Sequence, residues 1–417
     1  MKIAIVGGGI GGLSLALFLH RAGVSCDVYE SVPEVREIGV GITLLPHAMR
    51  ELAELGLQPQ LEAAGIENLE SVFFNRFGQF IYREPRGRHA GYQWPEVGLH
   101  RGKLHHVLLE AARARLGDAH VHLDHRCVRV DQDERGATIQ FRSGEGASLV
   151  TVAVDLVVAC DGVNSAVRRQ FYPNEELAFG GINTWRGVTV HAPILSGKSY
   201  LRVGSIETGK MVIYPIADNV DGKGRQLVNW VAEIRRSGAP MNDWNQPGRL
   251  EDFLDIFQDW RFDWLDVPAL IQGAEHIFEY PMVDRDPVPR WTHGCVTLLG
   301  DAAHPMYPRG SNGSAQAILD ARALAHLIAT GGDGREALAA YESLRLPVTS
   351  RIVEANRTVP PDFINIRVDE LSGDRPFRHI DDLISQDELR RMSDDYKRVA
   401  GFALDRKGMP EPDPPVS

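Results

Sequence analysis

The sequence has no apolar run of the roughly 18–20 residues that a membrane-spanning helix needs. We expect no signal peptide either, because a strand pattern begins directly after Lys2 and the glycines from Gly7 to Gly12 interrupt any apolar leader segment. No cluster of basic residues is present, and the formal net charge is −11, which argues against a nucleic-acid partner. We therefore expect a cytoplasmic protein that binds neither membranes nor nucleic acids.

Cysteine is scarce as well. The four cysteines lie far apart and mostly inside apolar segments, at Cys26, Cys127, Cys160 and Cys295. Zinc sites and disulfide frameworks need closely spaced or paired cysteines, so this pattern predicts buried free thiols and no metal site. The hydrophobic fraction of 43% is that of a globular protein, and a length of 417 residues favours two domains.

A nucleotide-binding motif follows the first strand pattern, Ile3–Val6. Gly7, Gly9 and Gly12 fit G-x-G-x-x-G, with a strand before them and a helix pattern after them, and Glu30 lies 18 residues beyond Gly12. In such a motif the first glycine permits a tight turn, the second lets the backbone approach a pyrophosphate, and the third lets helix and strand pack closely. We expect Glu30 to accept hydrogen bonds from an adenosine ribose.

A second glycine-rich junction lies near the other end of the chain. The apolar run Val296–Leu299 predicts a buried strand, which Gly300 and Asp301 end, and a loop reaches Gly310–Gly313 before a helix pattern begins at Ser314. The N-terminus of that helix is suited to an anionic group, since its first N–H groups are free and the helix dipole is positive there. Asp301 is placed to bind ligand hydroxyls.

A third junction lies between these two. The segment Val152–Ala159 predicts one buried strand, and Asp161-Gly162 begins the turn into a short helix that starts at Ser165. Arg168 falls in the first turn of that helix, where the dipole does not favour a cation. This position suggests that Arg168 pairs with an acidic partner, and Asp161 is the candidate.

Two further positions have two readings each. Gly41, in an apolar loop, fits either backbone that approaches a flat ligand or a mobile connection, and Arg101, at a helix start, faces a phosphate or is simply solvated. Between residues 179 and 280 the pattern is one of antiparallel strands holding five of the seven tryptophans. These aromatic side chains fit either a plain core or a pocket for a flat aromatic ligand.

The separation of the first and second glycine junctions points to one long dinucleotide. NAD is covered by a single Rossmann unit, whereas FAD fits a span with adenosine near Glu30 and the far end near Asp301 and Gly313. The helix from Ser314 would then direct its positive end at the flavin, which favours reduction.

The three junctions together resemble the motif set of the single-component (class A) flavoprotein aromatic hydroxylases, the para-hydroxybenzoate hydroxylase family. The resemblance extends to about residue 360. Several other stretches are most similar to members that act on phenazine carboxylates, namely Gly180–Ile182, Trp185–Thr189, Tyr280–Pro287, Met306–Pro308, Asn312–Gly313 and Gln316–Asp320.

The resemblance implies roles for individual residues. The residues implied to bind FAD are Gly7, Gly9, Gly12, Glu30, Gly41, Arg101, Val128, Asp161, Gly162, Asp301, Gly310, Ser311, Asn312 and Gly313. Asp161-Gly162 would also serve the passing nicotinamide cofactor. The candidate substrate pocket consists of Trp185, Arg186, Tyr214 and Pro308. The chain departs from the family pattern at Ala315, where many relatives carry Asn, and at Arg309, where a small residue is usual.

The implied fold is α/β, with a Rossmann-type (glutathione-reductase-like) FAD-binding domain, an inserted antiparallel-sheet substrate domain and C-terminal helices. We expect the FAD-binding domain to be discontinuous, at residues 1–72, 101–177 and 283–360. Residues 73–100 and 178–282 would form the substrate domain, and 361–417 a C-terminal helical segment and tail.

The implied chemistry is reduction of FAD by NAD(P)H, then reaction with O2 to a C4a-hydroperoxyflavin that hydroxylates a small aromatic or N-heteroaromatic substrate. The flavin carries out the oxidation, so no protein nucleophile is nominated; His304 either tunes flavin protonation or is structural. The rivals are a reductase or oxidase without oxygen insertion and a non-catalytic flavin-binding sensor. A halogenase is disfavoured because its W-x-W-x-I-P signature is absent. The chain is expected to act as a monomer or homodimer.

Overall fold

The computed structural model describes residues 1–34, 40–144, 148–236, 246–358, 363–399 and 403. The strands, in chain order, are β1 Ile3–Val6, β2 Asp27–Tyr29, β3 Gly41–Leu44, β4 Gly65–Glu67, β5 Glu70–Phe74, β6 Phe80–Pro85, β7 Val97–His100, β8 Val121–His122, β9 Arg126–Asp133, β10 Gly136–Ser143, β11 Ser148–Val154, β12 Leu156–Ala159, β13 Ala178–His191, β14 Ser199–Ser205, β15 Gly209–Ala217, β16 Gln226–Arg235, β17 Gln246–Pro247, β18 Arg261–Phe262, β19 Leu265–Asp266, β20 Ile277–Asp284 and β21 Val296–Leu298.

The helices are α1 Ile10–Arg21, α2 Pro46–Glu54, α3 Gln58–Ala64, α4 Arg101–Leu116, α5 Ala166–Phe171, α6 Leu254–Phe257, α7 Val267–Gln272, α8 Gly313–Thr330, α9 Gly334–Thr358, α10 Phe363–Ser372 and α11 Gln386–Val399. Among the described residues, none of these helices combines the length and the apolar character that crossing a membrane requires.

A parallel sheet in the order β21-β12-β1-β2-β8 forms the centre of the nucleotide-binding part. Its strands β1, β12 and β21 are completely buried, as their continuous apolar sequences predict for a parallel sheet covered on both faces. Helices α1 and α8 pack together against it, and the two glycine-rich helix starts therefore lie on the same side of one core.

An antiparallel meander, β11-β10-β9, lies beside this sheet. The single strand predicted over Val152–Ala159 is wrong: the segment contributes to β11 of the meander and then to β12 of the parallel sheet. Asp155 separates the two strands, and its carboxylate accepts a hydrogen bond from the Lys2 backbone N–H at 2.6 Å. A continuous apolar pattern does not reveal that the chain changes sheets at this point.

A second large sheet, in the order β17-β20-β13-β16-β15-β14-β5-β6, is mixed but mostly antiparallel. Side chains alternate across it. One face packs apolar residues such as Trp230, Met211 and Val203 against α6 and α7, and the other face carries polar residues. The α/β fold class predicted from the sequence, with its inserted antiparallel sheet and C-terminal helices, is confirmed.

The C-terminal helices α10 and α11 pack against the outer strands β5 and β6. Their contact is apolar, with Val368 and Leu389 buried against Phe73 and Ile81. The expected C-terminal tail lies outside the described residues, with the exception of residue 403.

Candidate cofactor and substrate site

The three glycine junctions meet because they follow three adjacent parallel strands. Val6 pairs with Ala159, and Ala159 pairs with Leu298, so the carboxyl ends of β1, β12 and β21 lie in one row. In open α/β sheets this edge is where ligands bind. Residues far apart in the sequence therefore face the same crevice.

Each glycine of the first motif has its own structural requirement. Gly7 has φ +106° and leads the chain close past Cys160, and a Cβ at Gly12 would lie 2.0 Å from the Gly7 carbonyl oxygen. A Cβ at Gly9, by contrast, would meet no atom of the described residues within 4 Å. Gly7 and Gly12 thus serve the packing of the turn, while Gly9 borders open space in front of α1.

The N-termini of α1 and α8 converge at this crevice. A Cβ at Gly11 would lie 2.9 Å from Leu299 Cδ2 and 3.4 Å from Ala317 Cβ, and one at Gly300 would lie 3.1 Å from Ala317 Cβ. Each helix start presents free N–H groups and about half a positive charge. Two converging helix starts make a site for an anionic ligand such as a pyrophosphate.

Glu30 is held at the end of β2, beside the glycine loop. Its Oε2 accepts a hydrogen bond from the Gly8 N–H at 2.8 Å, and its Oε1 accepts one from the Val32 N–H at 3.0 Å. The Glu30 backbone N–H also donates to the His122 carbonyl at 2.8 Å. The carboxylate is therefore oriented next to the turn that would carry the adenosine half of a dinucleotide.

Asp161 caps the third junction. Its Oδ2 accepts hydrogen bonds from the Ala166 and Val167 N–H groups, at 2.7 and 3.3 Å. Its Oδ1 is buried and has no hydrogen-bond partner among the described residues. Burial raises the pKa of Asp161, partly offset by the hydrogen bonds it accepts. An unsatisfied carboxylate oxygen at this edge fits a ligand donor.

The predicted pairing of Arg168 with Asp161 is wrong. Arg168 is 1% exposed and forms an ion pair with Glu175 at 2.5 Å, and it also donates to the Ala302 and Ala303 carbonyls at 3.0 and 2.6 Å. The acidic partner follows the helix and does not precede it. Arg168 therefore ties α5 to the loop after β21.

The loop of the second junction has an unusual backbone. Gly310 has φ +83° and Ser311 has φ +55°, a region that few non-glycine residues adopt. Helix α8 then begins at Gly313, one residue before the predicted start at Ser314, with Asn312 at the N-cap position. Asp301 is exposed, and a Cβ at Gly313 would lie 3.9 Å from Asp301 Oδ1, so the two face the same space.

A buried network supports this loop from below. Asp320 Oδ2 lies 2.5 Å from His304 Nε2, and Asp320 Oδ1 accepts a hydrogen bond from Arg345 Nε at 2.8 Å. Arg345 donates to Gln316 Oε1 at 2.6 Å, and all four side chains are at most 4% exposed. His304, one candidate for tuning the flavin, therefore lies in a structural network on the inner side of the loop.

The network continues to the other end of the same loop. Asn312 Oδ1 lies 3.2 Å from Gln316 Nε2 and 3.2 Å from His47 Nε2. The pKa of His47 is lowered to about 3, chiefly by burial and to a smaller extent by the nearby Arg50 and Arg345, while the hydrogen bond with Asn312 opposes the shift. His47 is neutral at physiological pH.

Replacing His47 with glutamine is expected to reduce the acid sensitivity of the fold. Since the pKa of His47 falls from its ordinary 6.5 to about 3, the unfolded chain binds more protons between these values. The contribution of neutral His47 to the free energy of unfolding is therefore fully present above pH 6.5. Below that pH it falls by up to about 1.4 kcal/mol per pH unit. Urea unfolding of both proteins at several pH values from 7.5 to 4.5 measures the difference. If the free energy of unfolding fell equally steeply with pH in both proteins, His47 would not have the lowered pKa.

Three other residues implied to bind FAD lie on α4, β9 and β3. Arg101 begins α4 with an exposed side chain, and one turn later His105 Nε2 lies 2.6 Å from the Gly8 carbonyl oxygen. Val128, on β9 of the meander, is 40% exposed. Gly41 donates its N–H to Asn229 Oδ1 at 2.7 Å, so β3 is ordered against the large sheet.

These features fit FAD. A Cβ at Gly162, as at Gly9, would meet nothing within 4 Å in the part of the chain that the structure describes, and the two glycines follow adjacent strands of the parallel sheet. Two anion-binding helix N-termini, an oriented carboxylate at Glu30 and an unsatisfied one at Asp161 match the pyrophosphate and hydroxyl groups of a dinucleotide.

The polar face of the large sheet is turned toward this crevice. Tyr214 is stacked on Tyr200 with ring centroids 4.9 Å apart, and the Tyr200 hydroxyl lies 3.3 Å from Ser311 Oγ of the loop. The Arg186 guanidinium lies 5.4 Å from the Tyr280 ring centroid and interacts electrostatically with Arg101. Pro308 is exposed in the same loop.

Trp185 does not belong to this pocket. It is 0% exposed and stacks on Phe253, 4.9 Å between ring centroids, in the core on the opposite face of the sheet. Since neighbouring residues of a strand point to opposite faces, Trp185 and Arg186 cannot both line the pocket. The described tryptophans Trp230, Trp260 and Trp264 belong to the same core region, while Trp244 lies outside the described residues.

One prominent residue of the polar face was not predicted. Arg202 is 5% exposed, its guanidinium lies 4.6 Å from the Tyr200 centroid and 5.0 Å from that of Phe73, and its Nη1 donates to Ser71 Oγ at 2.5 Å. Among the described residues no carboxylate lies within ion-pair distance of it. The signal in the sequence is a cation between Leu201 and Val203 in an otherwise apolar strand.

Arg202 borders a small chamber of about 10 Å³ next to the loop, which is room for about one water molecule. The chamber is lined by Phe73, Glu84, Arg86, Arg202, Gly310, Ser393, Tyr396 and Lys397. It thus lies between the large sheet, the loop at Gly310 and the C-terminal helix α11.

Comparisons with known proteins agree with this geometry. The sequence model of the family described as "FAD binding domain" matches residues 1–356. The chain is 41% identical to phenazine 1,6-dicarboxylic acid hydroxylase from Lysobacter antibioticus, over 85% of this chain and 89% of the relative. It is 34% identical to a 3-amino-4-hydroxybenzoate 2-monooxygenase from Streptomyces platensis, over 85% and 86%.

Among solved structures, Klebsiella pneumoniae HpxO complexed with FAD and uric acid aligns with a TM-score of 0.76 at 22% identity, covering 96% of this chain and 97% of that one. At this identity the likeness shows the fold alone. The family match and the two sequence relatives extend over most of the chain. This protein therefore belongs to the FAD-binding family of the single-component flavoprotein aromatic hydroxylases.

Proposed function

We propose that this protein hydroxylates an aromatic or N-heteroaromatic ring that carries a carboxylate, with FAD as bound cofactor and NAD(P)H and O2 as co-substrates. The observation that carries the carboxylate is Arg202. A buried guanidinium without an ionic partner among the described residues is costly, because burial removes it from water. A substrate carboxylate that reaches Arg202 would offset that cost through a bidentate ion pair.

The neighbouring aromatic side chains suit a flat ring. The Tyr200 and Tyr214 rings are nearly parallel, 10° apart, and extend from Arg202 toward the loop at Ser311. A ring held by its carboxylate at Arg202 would lie along these aromatic surfaces and beside Gly310. The named relatives act on a phenazine dicarboxylic acid and on an aminohydroxybenzoate, which are also ring acids.

The side chains of the protein would bind and orient the reactants. The helix starts of α1 and α8, with Glu30, Asp161 and Asp301, would hold FAD, which supplies the oxygen-inserting chemistry when bound. Gly162 borders the open side of the crevice, where NAD(P)H would approach. The buried aromatic face around Tyr214 would exclude water from the reacting ring.

Replacing Arg202 with methionine is expected to raise KM for a ring acid by roughly 10- to 100-fold, because a charged hydrogen-bonded contact contributes about 1.5–3 kcal/mol. KM for the corresponding carboxamide should change little. The matched control is Arg83→Met on β6, since Arg83 is 57% exposed and pairs with Glu70 at 3.1 Å.

The measurement is NAD(P)H oxidation coupled to product formation, with ring acids, phenazines and N-heterocycles as candidate substrates. Unchanged KM for the acid in Arg202→Met would contradict the proposed carboxylate contact. A reductase or oxidase predicts NAD(P)H consumption without hydroxylated product, and a flavin-binding sensor predicts no substrate-dependent consumption.

A cytoplasmic location is part of the proposal and is supported by the four cysteines, which are all free thiols. Cys26 is buried and its pKa is raised to about 12, by burial and by the nearby Asp27, as for an unreactive thiol. We also propose that the protein is a monomer or homodimer, which light scattering of the FAD-loaded enzyme would decide.

A further inference from the structure

The C-terminal helix α11 lines the small chamber beside Arg202, although the helix lies beyond residue 356, where the family match ends. It is anchored to the large sheet by Leu389 in a shared apolar cluster and by Gln386 Nε2, which donates to the Ile81 carbonyl at 3.0 Å. The helix therefore reaches the chamber from outside the residues that the family model matches. The residues it adds to the chamber are Ser393, Tyr396 and Lys397.

Tyr396 closes the chamber over the loop. It is 6% exposed, and a Cβ at Gly310 would lie only 1.7 Å from the Tyr396 hydroxyl. That hydroxyl contacts the Arg309 carbonyl at 3.4 Å and Asn356 Oδ1 at 3.3 Å. The helix thus lies directly against the segment that borders the flavin site.

Lys397 and Ser393 bind Glu84 on the chamber wall. Lys397 Nζ lies 2.8 Å from Glu84 Oε2, and Ser393 Oγ lies 2.6 Å from the same oxygen. Burial alone raises the pKa of Glu84, but Lys397 and Arg86 lower it by more, so Glu84 is an anion. Lys397 also contacts Asp394, which is 46% exposed.

Lys397 controls the charge that a substrate would meet. Arg86 is shared between Glu84 at 3.3 Å and Glu96 at 2.8 Å, so one guanidinium faces two buried carboxylates. Arg86 and Lys397 together balance the negative charges of Glu84 and Glu96. The positive charge of Arg202 therefore remains available to a substrate. Without Lys397, the negative charge of Glu84 would oppose a substrate carboxylate at Arg202.

We propose that Lys397 is a specificity-determining residue for ring acids, which acts by neutralising Glu84 and so leaves Arg202 available to the substrate carboxylate. This inference rests on the proposed function. It extends the substrate site to a helix outside the family match. The selectivity for ring acids would then depend on the ion pair between Lys397 and Glu84.

The test compares binding of phenazine-1-carboxylate and phenazine-1-carboxamide to the FAD-loaded enzyme, followed by the change in flavin absorbance. Lys397→Met should lower the preference for the acid by at least about 10-fold, because an unbalanced buried charge is repulsive. Lys397→Met combined with Glu84→Gln should restore the preference to within about threefold, since the repelling charge is gone.

Arg398→Met is the matched control, because Arg398 is 57% exposed and pairs only with Asp395 among the described residues. Its preference for the acid should equal that of the wild type. The inference would be overturned if Lys397→Met weakened the binding of both probes equally, or if adding Glu84→Gln did not restore the preference for the acid. It would also be overturned if the wild type bound the acid no more tightly than the carboxamide. Product analysis tests the proposed function separately, since these titrations need no turnover.

Discussion

Replacing Gly9 with alanine is expected to weaken FAD binding by about 100-fold, equivalent to about 2.7 kcal/mol. The backbone of Gly9 is extended, with φ −76° and ψ −171°, and the added methyl group would touch none of the described residues. It would instead occupy the space through which a pyrophosphate must approach the start of α1. The free energy of unfolding of the apoprotein should change by no more than about 1 kcal/mol, the scale of a helix-cap substitution.

The matched variant is Gly12→Ala, where the methyl group would lie 2.0 Å from the Gly7 carbonyl oxygen. This change should destabilise the apoprotein itself by roughly 1–3 kcal/mol or more, because the helix and the strand cannot separate without loss of packing. Titration of each apoprotein with FAD, followed by flavin fluorescence, and urea unfolding distinguish the two effects. Wild-type FAD affinity in Gly9→Ala would contradict the assignment of this crevice.

Replacing Asp320 with alanine is expected to destabilise the FAD-loaded protein by roughly 3–5 kcal/mol, because it leaves the buried side chains of Arg345 and His304 without their anion. His304 and Arg345 lower the pKa of Asp320 more than burial raises it. Its stabilising contribution is therefore present above the unfolded value near 3.9 and is lost as the pH falls below that value. Urea unfolding at pH 7 measures the effect.

Asp286→Ala is the control for this prediction, since Asp286 is 80% exposed and pairs with Arg357 at 2.7 Å. An exposed ion pair contributes about 0–1 kcal/mol. A loss at Asp320 no larger than that at Asp286 would show that the buried network does not support the loop.

The cofactor crevice was predictable because its signals are local. A strand followed by glycines and a helix specifies a turn whatever the rest of the chain does. Gly7 and Gly12 occupy the positions that their local pattern predicts, and α8 begins one residue before the predicted Ser314. The parallel pairing of β1, β12 and β21 then brings the three junctions together.

The substrate side was less predictable because it depends on long-range contacts. Alternation along a strand separates Trp185 from Arg186, but it does not tell which of the two faces the core. The packing of α6 and α7 decides this, and it places Trp185 inside. The partner of Arg168 could not be predicted from spacing alone, since Asp161 and Glu175 are both seven positions away from it in the sequence.

The contribution of α11 had no signal in the sequence at all. Lys397 meets Glu84 across 313 positions of the chain, and charged residues near a C-terminus are ordinarily solvated. Arg202 is visible in the sequence as a cation inside an apolar strand. Its role, however, depends on the chamber that Gly310 and Tyr396 line with it.

Turnover of a ring acid under 18O2 is the most direct test of the central claim, that this flavoprotein inserts oxygen into a carboxylated ring. The account predicts a hydroxylated product that contains one atom of 18O and forms in proportion to the NAD(P)H consumed. NAD(P)H consumption that yields hydrogen peroxide and an unlabelled, unchanged ring acid with every candidate substrate would contradict it.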